Sequence, residues 1–195
     1  MDVMHRLVRT FPLGLLVTMR SDGPAADPIP FLIDPEPAPF GTLRAHVARA
    51  NPLWREARTD VDSLVVFQGP QAYVSPSLYA SKHEHGKVVP TWNYVIVQAR
   101  GRLRIVDDPA WLHTLVNRLT DTHEADRAAP WKVADAPDAY IAQMLRAIVG
   151  IEIEITSLTG KWKASQNRSE ADRAGVAAGL GEHPLAAQVR APGSG

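Results

Sequence analysis

The sequence predicts a mainly β fold, an antiparallel barrel that carries helical additions. About seven segments have the alternation or the apolar runs of strands, and turn residues separate them. Only a few segments have apolar residues at helical spacing. The clearest strand is 150–158, GIEIEITSL, in which the isoleucines face a core and the glutamates face water.

The first half of the chain is predicted to be strands joined by short turns. A helix at about 3–10 precedes a strand at 13–20, and a Ser-Asp-Gly hairpin turn follows. The next strand, AADPIPFLI, contains two prolines, which place it toward a sheet edge. Another strand spans 42–48. Asn51-Pro52 then begins a helix, because the amide caps the first turn and proline needs no donor there.

The second half is predicted to contain longer strands and two helices. SLVVFQG and QAYVS are two strands that Gly69-Pro70 interrupts, and a long strand follows at about 89–106. Asp107-Asp108-Pro109 ends that strand and begins an amphipathic helix. A further helix at about 138–148 precedes the final strand, which continues through 161–166.

Composition favours one compact domain and excludes several kinds of site. The chain has 195 residues, 45% of them hydrophobic, and we expect a single domain over 1–182 with a flexible tail over 183–195. The absence of cysteine excludes disulfides, thiolate metal sites and cysteine nucleophiles. The sequence has no Gly-rich phosphate loop, G-x-S-x-G or HExxH motif, which argues against hydrolases of those types.

Charge and hydropathy bear on partners and location. Lys plus Arg and Asp plus Glu both total 21, so the chain lacks the basic surplus of a dedicated nucleic-acid binder, which argues against direct DNA binding. No apolar run approaches the ~20 residues of a membrane helix. The N-terminal segment is too short and too charged for a signal peptide. We therefore expect a cytoplasmic protein without a membrane partner.

The segment GKWKASQNR is the first candidate for chemistry. In an extended chain, Lys161, Lys163 and Ser165 share one face, with neighbours about 7 Å apart, and present donors to a negative group. Ser169 and Asp172 form a capping box for the following helix, whose N-terminus also favours anions. A solvated strand end followed by an ordinary cap explains the same pattern, so the residues alone leave both interpretations open.

A second candidate is the strand VPTWNYVIV. Thr91 and Asn93 lie on one face of the strand, and Trp92 and Tyr94 lie on the other. Each face therefore combines large apolar side chains with a few polar groups. Such a surface suits a flat aromatic cofactor. The alternative to a cofactor surface is an aromatic core in which the asparagine side chain makes all its hydrogen bonds within the protein.

A third candidate is HVARANPLW, with His46 in a strand and Arg49 and Asn51 just beyond it. A lone strand histidine is either a hydrogen-bonded core residue or a ligand, and as a ligand it could reach a haem iron or serve a flavin as a proton donor. His83 and His85 lie in a polar loop without a third metal ligand nearby, and we expect them to be exposed.

Five segments together resemble the PaiB family, described as FMN-binding negative transcriptional regulators. They are GTLRAHVARANPLW, VVFQGPQAYVSPSLY, KVVPTWNYVIVQARGRLR, WKVADAPDAYIAQMLRAIVGIEIEI and GKWKASQNRSEADRAGV. The resemblance is collinear over about 13–180. It departs from the family at Leu78, where tryptophan is usual, at Ala164, where leucine is usual, and in the longer N-terminal segment that members commonly have.

The resemblance implies the FMN-binding split β-barrel of pyridoxamine-phosphate-oxidase-like flavoproteins, normally homodimers with two cofactor sites at the subunit interface. It implies either a negative transcriptional regulator or a flavin-dependent oxidoreductase acting on a small molecule, and no catalytic side chain is assigned. The residues expected to bind the cofactor are His46, Arg49, Asn51, Thr91, Trp92, Asn93, Lys161, Lys163, Ser165, Gln166 and Arg168.

Haem b is the alternative cofactor. The H-x-x-R-A-N-P and P-T-W-N segments are similar to those of piperazate synthases, PaiB-like enzymes that use haem. In that interpretation His46 is the axial ligand and the only metal-binding residue, and lysines and arginines meet the propionates.

Overall fold

The computed structural model describes residues 1–191. Its helices are α1 (Asp2–Thr10), α2 (Leu53–Glu56), α3 (Ser81–His85), α4 (Pro109–Glu124), α5 (Asp138–Arg146), α6 (Glu170–Leu180) and α7 (Leu185–Arg190). Its strands are β1 (Leu13–Arg20), β2 (Gly23–Pro30), β3 (Leu32–Asp34), β4 (Thr42–Ala48), β5 (Asp62–Val74), β6 (Thr91–Val106) and β7 (Ile148–Lys163). Short 3-10 turns lie at Pro76–Leu78 and Val133–Asp135.

The chain divides into two compact units. Unit 1 comprises Met1–Phe67 with Gln98–Leu158, and unit 2 comprises Gln68–Val97 with Thr159–Gly195. Strands β5, β6 and β7 each begin in one unit and end in the other. Since three continuous strands pass through both units, this division does not decide whether 1–182 is one domain, and that boundary stays a prediction.

Unit 1 contains part of every strand of the seven-stranded sheet, whose order is β2-β1-β5-β6-β7-β4-β3. The β1–β2 hairpin is antiparallel and in register from Leu13 opposite Pro30 to Arg20 opposite Gly23. β4 pairs antiparallel with both β3 and β7. β2 is an edge strand, as its prolines predict, because an edge position does not require every N–H to donate.

The core of unit 1 forms where strand alternation turns apolar side chains inward. In β7, Ile151, Ile153 and Ile155 are buried, as the alternation predicts. Helix α4 covers part of the sheet with Leu112, Leu115 and Leu119, all buried at helical spacing. Asp108 begins α4 by accepting the N–H groups of residues 110 and 111.

Unit 2 is built from the remaining strand segments and three helices, α3, α6 and α7. Strand alternation continues in β6, where Asn93, Val95 and Val97 are buried. Ser169 is the N-cap of α6, and its hydroxyl accepts the N–H of Asp172, which is one half of the predicted capping box. The other half does not form, because the Asp172 carboxylate accepts from Ser81 instead.

Several sequence expectations differ from the structure. The single strand expected at AADPIPFLI is two strands, β2 and β3, and β3 pairs with β4 at the opposite edge of the sheet. The polar loop expected around His83 and His85 contains α3.

β5 is one continuous strand through Gly69-Pro70. On the side of β1 it is in register at Leu64, Val65 and Val66, so the proline removes none of those bonds. The last strand ends at Lys163 rather than continuing to Gln166. The remaining difference concerns the tail.

The expected flexible tail contains helix α7, in which Leu185, Ala186 and Val189 are buried. Their spacing places them on one face of a short helix, which packs against α6 within unit 2. The part of the predicted tail at 192–195 lies outside the described residues.

Candidate cofactor site

A polar cavity of about 140 Å³ lies in unit 2. It brings together the ends of β6 and β7 and the segment before α3. Its lining residues are Tyr79, Val89, Pro90, Thr91, Asn93, Lys163, Ser165, Asn167 and Arg168. Five of the eleven predicted site residues are therefore brought to one cavity.

Two hydrogen bonds join β6 to the end of β7 at this cavity. The Lys163 ammonium donates to the Thr91 hydroxyl over 2.7 Å, and the Asn93 amide nitrogen donates to the Ser165 hydroxyl over 2.8 Å. The predicted face of β6 carrying Thr91 and Asn93 thus meets the polar residues of GKWKASQNR.

The turn after Lys163 determines where Ser165 lies. Ser165 has a φ of 60°, a left-handed conformation that is uncommon for a residue other than glycine. Gln166 closes the turn by accepting the N–H of Ala164 over 2.7 Å and by donating to the carbonyl of Trp162. Ser165 therefore reaches Asn93 from a turn rather than from the predicted strand, and Gln166 is engaged with its own backbone.

Two buried polar atoms near the cavity have no hydrogen-bond partner among the described residues. They are the Asn93 side-chain oxygen and the Tyr79 hydroxyl, and both residues are almost completely buried. An unpaired buried polar atom costs on the order of 1–3 kcal/mol. Their environment therefore suits a water molecule or a ligand that supplies the missing hydrogen bonds.

The charge around the cavity is positive. Among the described residues, its lining includes two cations and no carboxylate. The Arg168 guanidinium lies 4.6 Å from the Tyr79 ring centroid, and Lys161 and Lys163 lie 5.3 and 5.9 Å from that of Tyr94. Both lysines therefore lie near the same ring, as the prediction of a shared strand face requires.

Asp172 lies beside this arrangement and anchors α6 to the start of α3. Its carboxylate accepts the N–H of Ser81 over 2.9 Å and the Ser81 hydroxyl over 2.8 Å. Burial by itself would raise the pKa of Asp172, but the Ser81 hydrogen bonds and the charge of Arg168 together hold that pKa below its ordinary value. The carboxylate is therefore ionised at neutral pH.

Trp92 does not line the cavity. Its side chain is 54% exposed and makes an edge contact with Tyr73 at a centroid separation of 6.1 Å. The pair is an exposed aromatic surface on the other face of β6.

Arg49 and Asn51 lie in unit 1 and are engaged in local structure. Arg49 donates to both carboxylate oxygens of Asp107 and to the backbone carbonyls of Arg146 and Ile148. Asn51 accepts the N–H of Leu53 and donates to Asp27 over 3.2 Å. The predicted cap by Asn51 is wrong, because α2 begins at Leu53 with Pro52 at its N-cap position and Asn51 lies one residue further out. These contacts account for both side chains without a ligand, and their cofactor roles stay predictions.

His46 also lies in unit 1, in β4 opposite Gly150 of β7. Its Nδ1 atom is buried and has no hydrogen-bond partner among the described residues. Burial lowers the pKa of His46 below 6.5, so the imidazole is neutral at pH 7.

We expect this burial to make stability depend on pH. Because the pKa of His46 is lower in the folded state, the unfolded chain takes up the proton first as pH falls below about 6.5, and folding loses free energy. His46→Gln should flatten the decline in unfolding free energy between about pH 7.5 and about pH 5.5, measured by urea denaturation. Equal slopes in both proteins would contradict the prediction.

The sequence reasoning missed four lining residues, Tyr79, Val89, Pro90 and Asn167. All four lie inside segments quoted for the family resemblance, which was the signal available: Tyr79 in VVFQGPQAYVSPSLY, Val89 and Pro90 in KVVPTWNYVIVQARGRLR, and Asn167 in GKWKASQNRSEADRAGV. Leu78, which stands where the family usually has tryptophan, packs against α6 at Gly175 and Gly179.

A family model described as "Putative FMN-binding domain" matches residues 1–157. A protein of Bacillus subtilis named "Protease synthase and sporulation protein PAI 2" is 31% identical, over 96% of this chain and 88% of its own. The chain belongs to the PaiB family of FMN-binding domains. The family prediction is confirmed, and FMN is the cofactor by which this family is described.

Two fungal proteins are also similar to this chain. An uncharacterized protein of Emericella nidulans is 35% identical, over 92% of this chain and 85% of its own length. Another, from Aspergillus fumigatus, is 33% identical, over 91% and 85%. The family model covers His46 through Asn93 but ends before Lys161, so the lysine segment lies outside it.

Two solved structures have a similar fold. The flavocytochrome Anf3 of Azotobacter vinelandii has a TM-score of 0.61 at 16% identity, over 89% of this chain and 72% of its own. The FAD and heme binding protein of Mycobacterium smegmatis has a TM-score of 0.61 at 16% identity, over 89% and 76%. The predicted fold class, a mainly β split barrel with helical additions, is confirmed.

The described residues lack both a metal cluster and a membrane-spanning helix. No group of three or more His, Asp or Glu side chains could hold a metal ion in the described part of the chain. No helix between residues 1 and 191 is long and apolar enough to cross a membrane.

Proposed function

We propose that this chain is an FMN-binding flavoprotein and that the unit 2 cavity holds the FMN phosphate. The observation that carries the proposal is a cavity with two cations, no carboxylate and the buried Tyr79 hydroxyl, a donor that has no partner among the described residues. Charge-assisted donors are what a phosphate dianion requires. A bound flavin supplies hydride and one-electron chemistry, and the protein supplies binding and orientation.

Each polar group has a defined part in this proposal. Lys163 and Arg168 supply charge, and Thr91 and Ser165 supply hydroxyl donors that their present partners already orient. The cavity of about 140 Å³ is smaller than the ~300 Å³ at the lower end of ligand pockets. It therefore suits the phosphate end, and the flat ring requires further apolar surface.

Comparison of FMN with riboflavin tests the proposal, because the two differ only in the phosphate. We expect the wild type to quench FMN fluorescence saturably and to bind riboflavin more weakly. Lys163→Gln should weaken FMN binding by about tenfold, the equivalent of one charged hydrogen bond, and leave riboflavin binding unchanged.

Lys82→Gln is the matched control, since Lys82 is an exposed lysine of unit 2 that does not line the cavity. It should bind FMN like the wild type. Equal losses for FMN and riboflavin in Lys163→Gln would place the phosphate elsewhere. Absence of FMN binding by the folded wild type would overturn the proposal itself.

We also propose that two copies of the chain form a homodimer. In unit 1, one face of the β1–β2 hairpin is apolar throughout and uncovered, with Leu13, Leu15 and Met19 at 63%, 42% and 41% exposure. The residues opposite them in β2 are Pro30, Pro28 and Pro24. Leu64 and Val66 of β5 extend the face on the other side.

A second copy is the occupant that this face favours. With β5 included it measures on the order of 350 Å², a large patch for a monomer. The edge-strand prolines oppose pairing by strand addition, so association would occur face to face. An uncharged, flat face matches itself across a two-fold axis.

Analytical ultracentrifugation tests the homodimer. We expect the wild type to sediment as a dimer at micromolar concentration and Leu15→Glu as a folded monomer. Ala110→Glu, at the exposed start of α4, should remain dimeric. A monomeric wild type would refute the homodimer, and a dimeric Leu15→Glu would refute this face.

For the cellular role, we propose flavin chemistry on a small molecule rather than direct DNA binding. The balanced charge supports this, and so do Arg102 and Arg104 on β6, which are paired with Asp62 and Glu152 instead of forming an unpaired basic stripe. A gel-shift assay with salt titration tests it. Binding that weakens steeply with salt would instead support direct repression.

Haem is the second candidate, and one observation favours it. His46 is neutral, the protonation state that a haem ligand requires, and its Nδ1 has no hydrogen-bond partner among the described residues. Two proteins of similar fold are named for haem or cytochrome binding. A Soret band in the isolated protein that disappears in His46→Ala would establish haem, whereas flavin bands that persist in His46→Ala would exclude it.

A further inference from the structure

A second cavity, of about 560 Å³, lies in unit 1 between the start of α4 and the end of α5. Apolar side chains form most of its lining, with three charged residues among them. The lining residues are Arg49, Asp107, Pro109, Leu112, Ala142, Leu145 and Arg146. Arg49 is the one lining residue that the sequence analysis assigned to cofactor binding. The cavity volume is within the range of small-molecule sites.

One cation that lines this cavity, Arg146, has no ion-pair partner among the described residues. Arg49 neutralises Asp107 through two hydrogen bonds, of 2.9 and 2.5 Å, and these hold the pKa of Asp107 below its ordinary value. The Arg146 guanidinium makes no ion pair or hydrogen bond among residues 1–191, although its backbone carbonyl accepts from Arg49. The lining therefore has one cation without a counter-charge.

Helix α5 also has uncovered apolar surface. None of its residues is buried, although its sequence places Ile141 and Leu145 on one face, both only half-buried. The cavity lies directly against this face, at Ala142 and Leu145. A ligand with an apolar body would cover surface that the chain itself leaves open.

We propose that this cavity binds a small amphipathic monocarboxylate, with its apolar body between α4 and α5 and its carboxylate on Arg146. The unpaired cation selects the charge, and the apolar lining of Pro109, Leu112 and Leu145 selects the body. A guanidinium is the side chain best suited to bind a carboxylate through two parallel hydrogen bonds. This site is independent of the FMN proposal, since it uses other residues.

Calorimetric titration with octanoate tests the proposal, and 1-octanol is the uncharged probe of the same chain length. We expect octanoate to bind the full-length protein at one site, and Arg146→Gln to weaken octanoate by about tenfold without changing 1-octanol. Ala142→Phe should abolish binding of both probes, because it fills the cavity from an exposed position that tolerates a larger side chain.

Arg100→Gln, another exposed arginine of unit 1, is the matched control and should leave octanoate binding unchanged. Octanoate that fails to saturate at low-millimolar concentration would overturn the site. Arg146→Gln that binds like the wild type would overturn the carboxylate contact. Binding that persists in a folded Ala142→Phe would place the ligand elsewhere, for example on the exposed β1–β2 face, and would also overturn the proposal.

Discussion

Gly175→Ala is expected to lower the free energy of unfolding by about 2–3 kcal/mol, as an overpacking substitution against fixed backbone. Gly175 lies in α6, and a Cβ atom there would come far inside van der Waals distance of the Leu78 carbonyl oxygen. The alanine would favour the helix by about 0.5–1 kcal/mol, which offsets only part of the cost. Urea denaturation followed by circular dichroism measures the difference.

Gly179→Ala is the matched control in the same helix. Its Cβ atom would meet the side-chain methyl groups of Leu78, which can rotate away, whereas the backbone carbonyl at Gly175 cannot. We expect this variant to remain within ~1 kcal/mol of the wild type, because helix propensity and mild crowding nearly cancel. If both variants lost equal stability, the fixed Leu78 carbonyl would not be the cause of the loss in Gly175→Ala.

Asp172→Ala is expected to cost about 2–3 kcal/mol, because it removes a charged acceptor and leaves the part-buried N–H and hydroxyl of Ser81 unpaired. Asp172 is only 3% exposed, and it accepts both the N–H and the hydroxyl of Ser81. Asp172→Asn keeps one acceptor and should lose less, and Ser81→Ala removes only the hydroxyl donor. The order of the three stabilities tests whether both bonds contribute.

The same carboxylate gives a pH dependence of known sign. Since the pKa of Asp172 is lower in the folded state, its contribution is complete above the ordinary carboxyl pKa and is lost as pH falls through the folded value. The advantage of the wild type over Asp172→Asn should therefore be full near neutral pH and shrink below about pH 4. A constant difference down to the acid transition would show that ionisation of Asp172 does not matter.

Strand alternation predicted the scaffold well, because burial on one face imposes a period of two on the sequence. β1 and β4 have the predicted bounds, and the inward isoleucines of β7 are buried. The interruption of β5 at Gly69-Pro70 was wrong because proline breaks a strand only where a neighbour needs its N–H, and pairing partners are not visible in local sequence.

The candidate site was only partly predictable. Lys163, Ser165 and Asn93 were chosen from residue type and pattern, and their meeting at one cavity is consistent with that choice. Tyr79 was missed although it lies inside the family segment VVFQGPQAYVSPSLY, because only the fold brings that segment to the ends of β6 and β7. Gln166 was chosen for its motif, yet its side chain is committed to its own turn.

Taken alone, the amino-acid order determined most of the strands, the start of α4 and the family, because each depends on neighbours within a few residues or on collinear motifs. Only the tertiary structure decided which charges remain unpaired. Arg49 is neutralised by Asp107, whereas Arg146 and Lys163 meet no carboxylate within ion-pair distance among residues 1–191. Net charge and motif cannot distinguish these cases, since ion pairing depends on distances of a few ångströms between segments far apart in the chain.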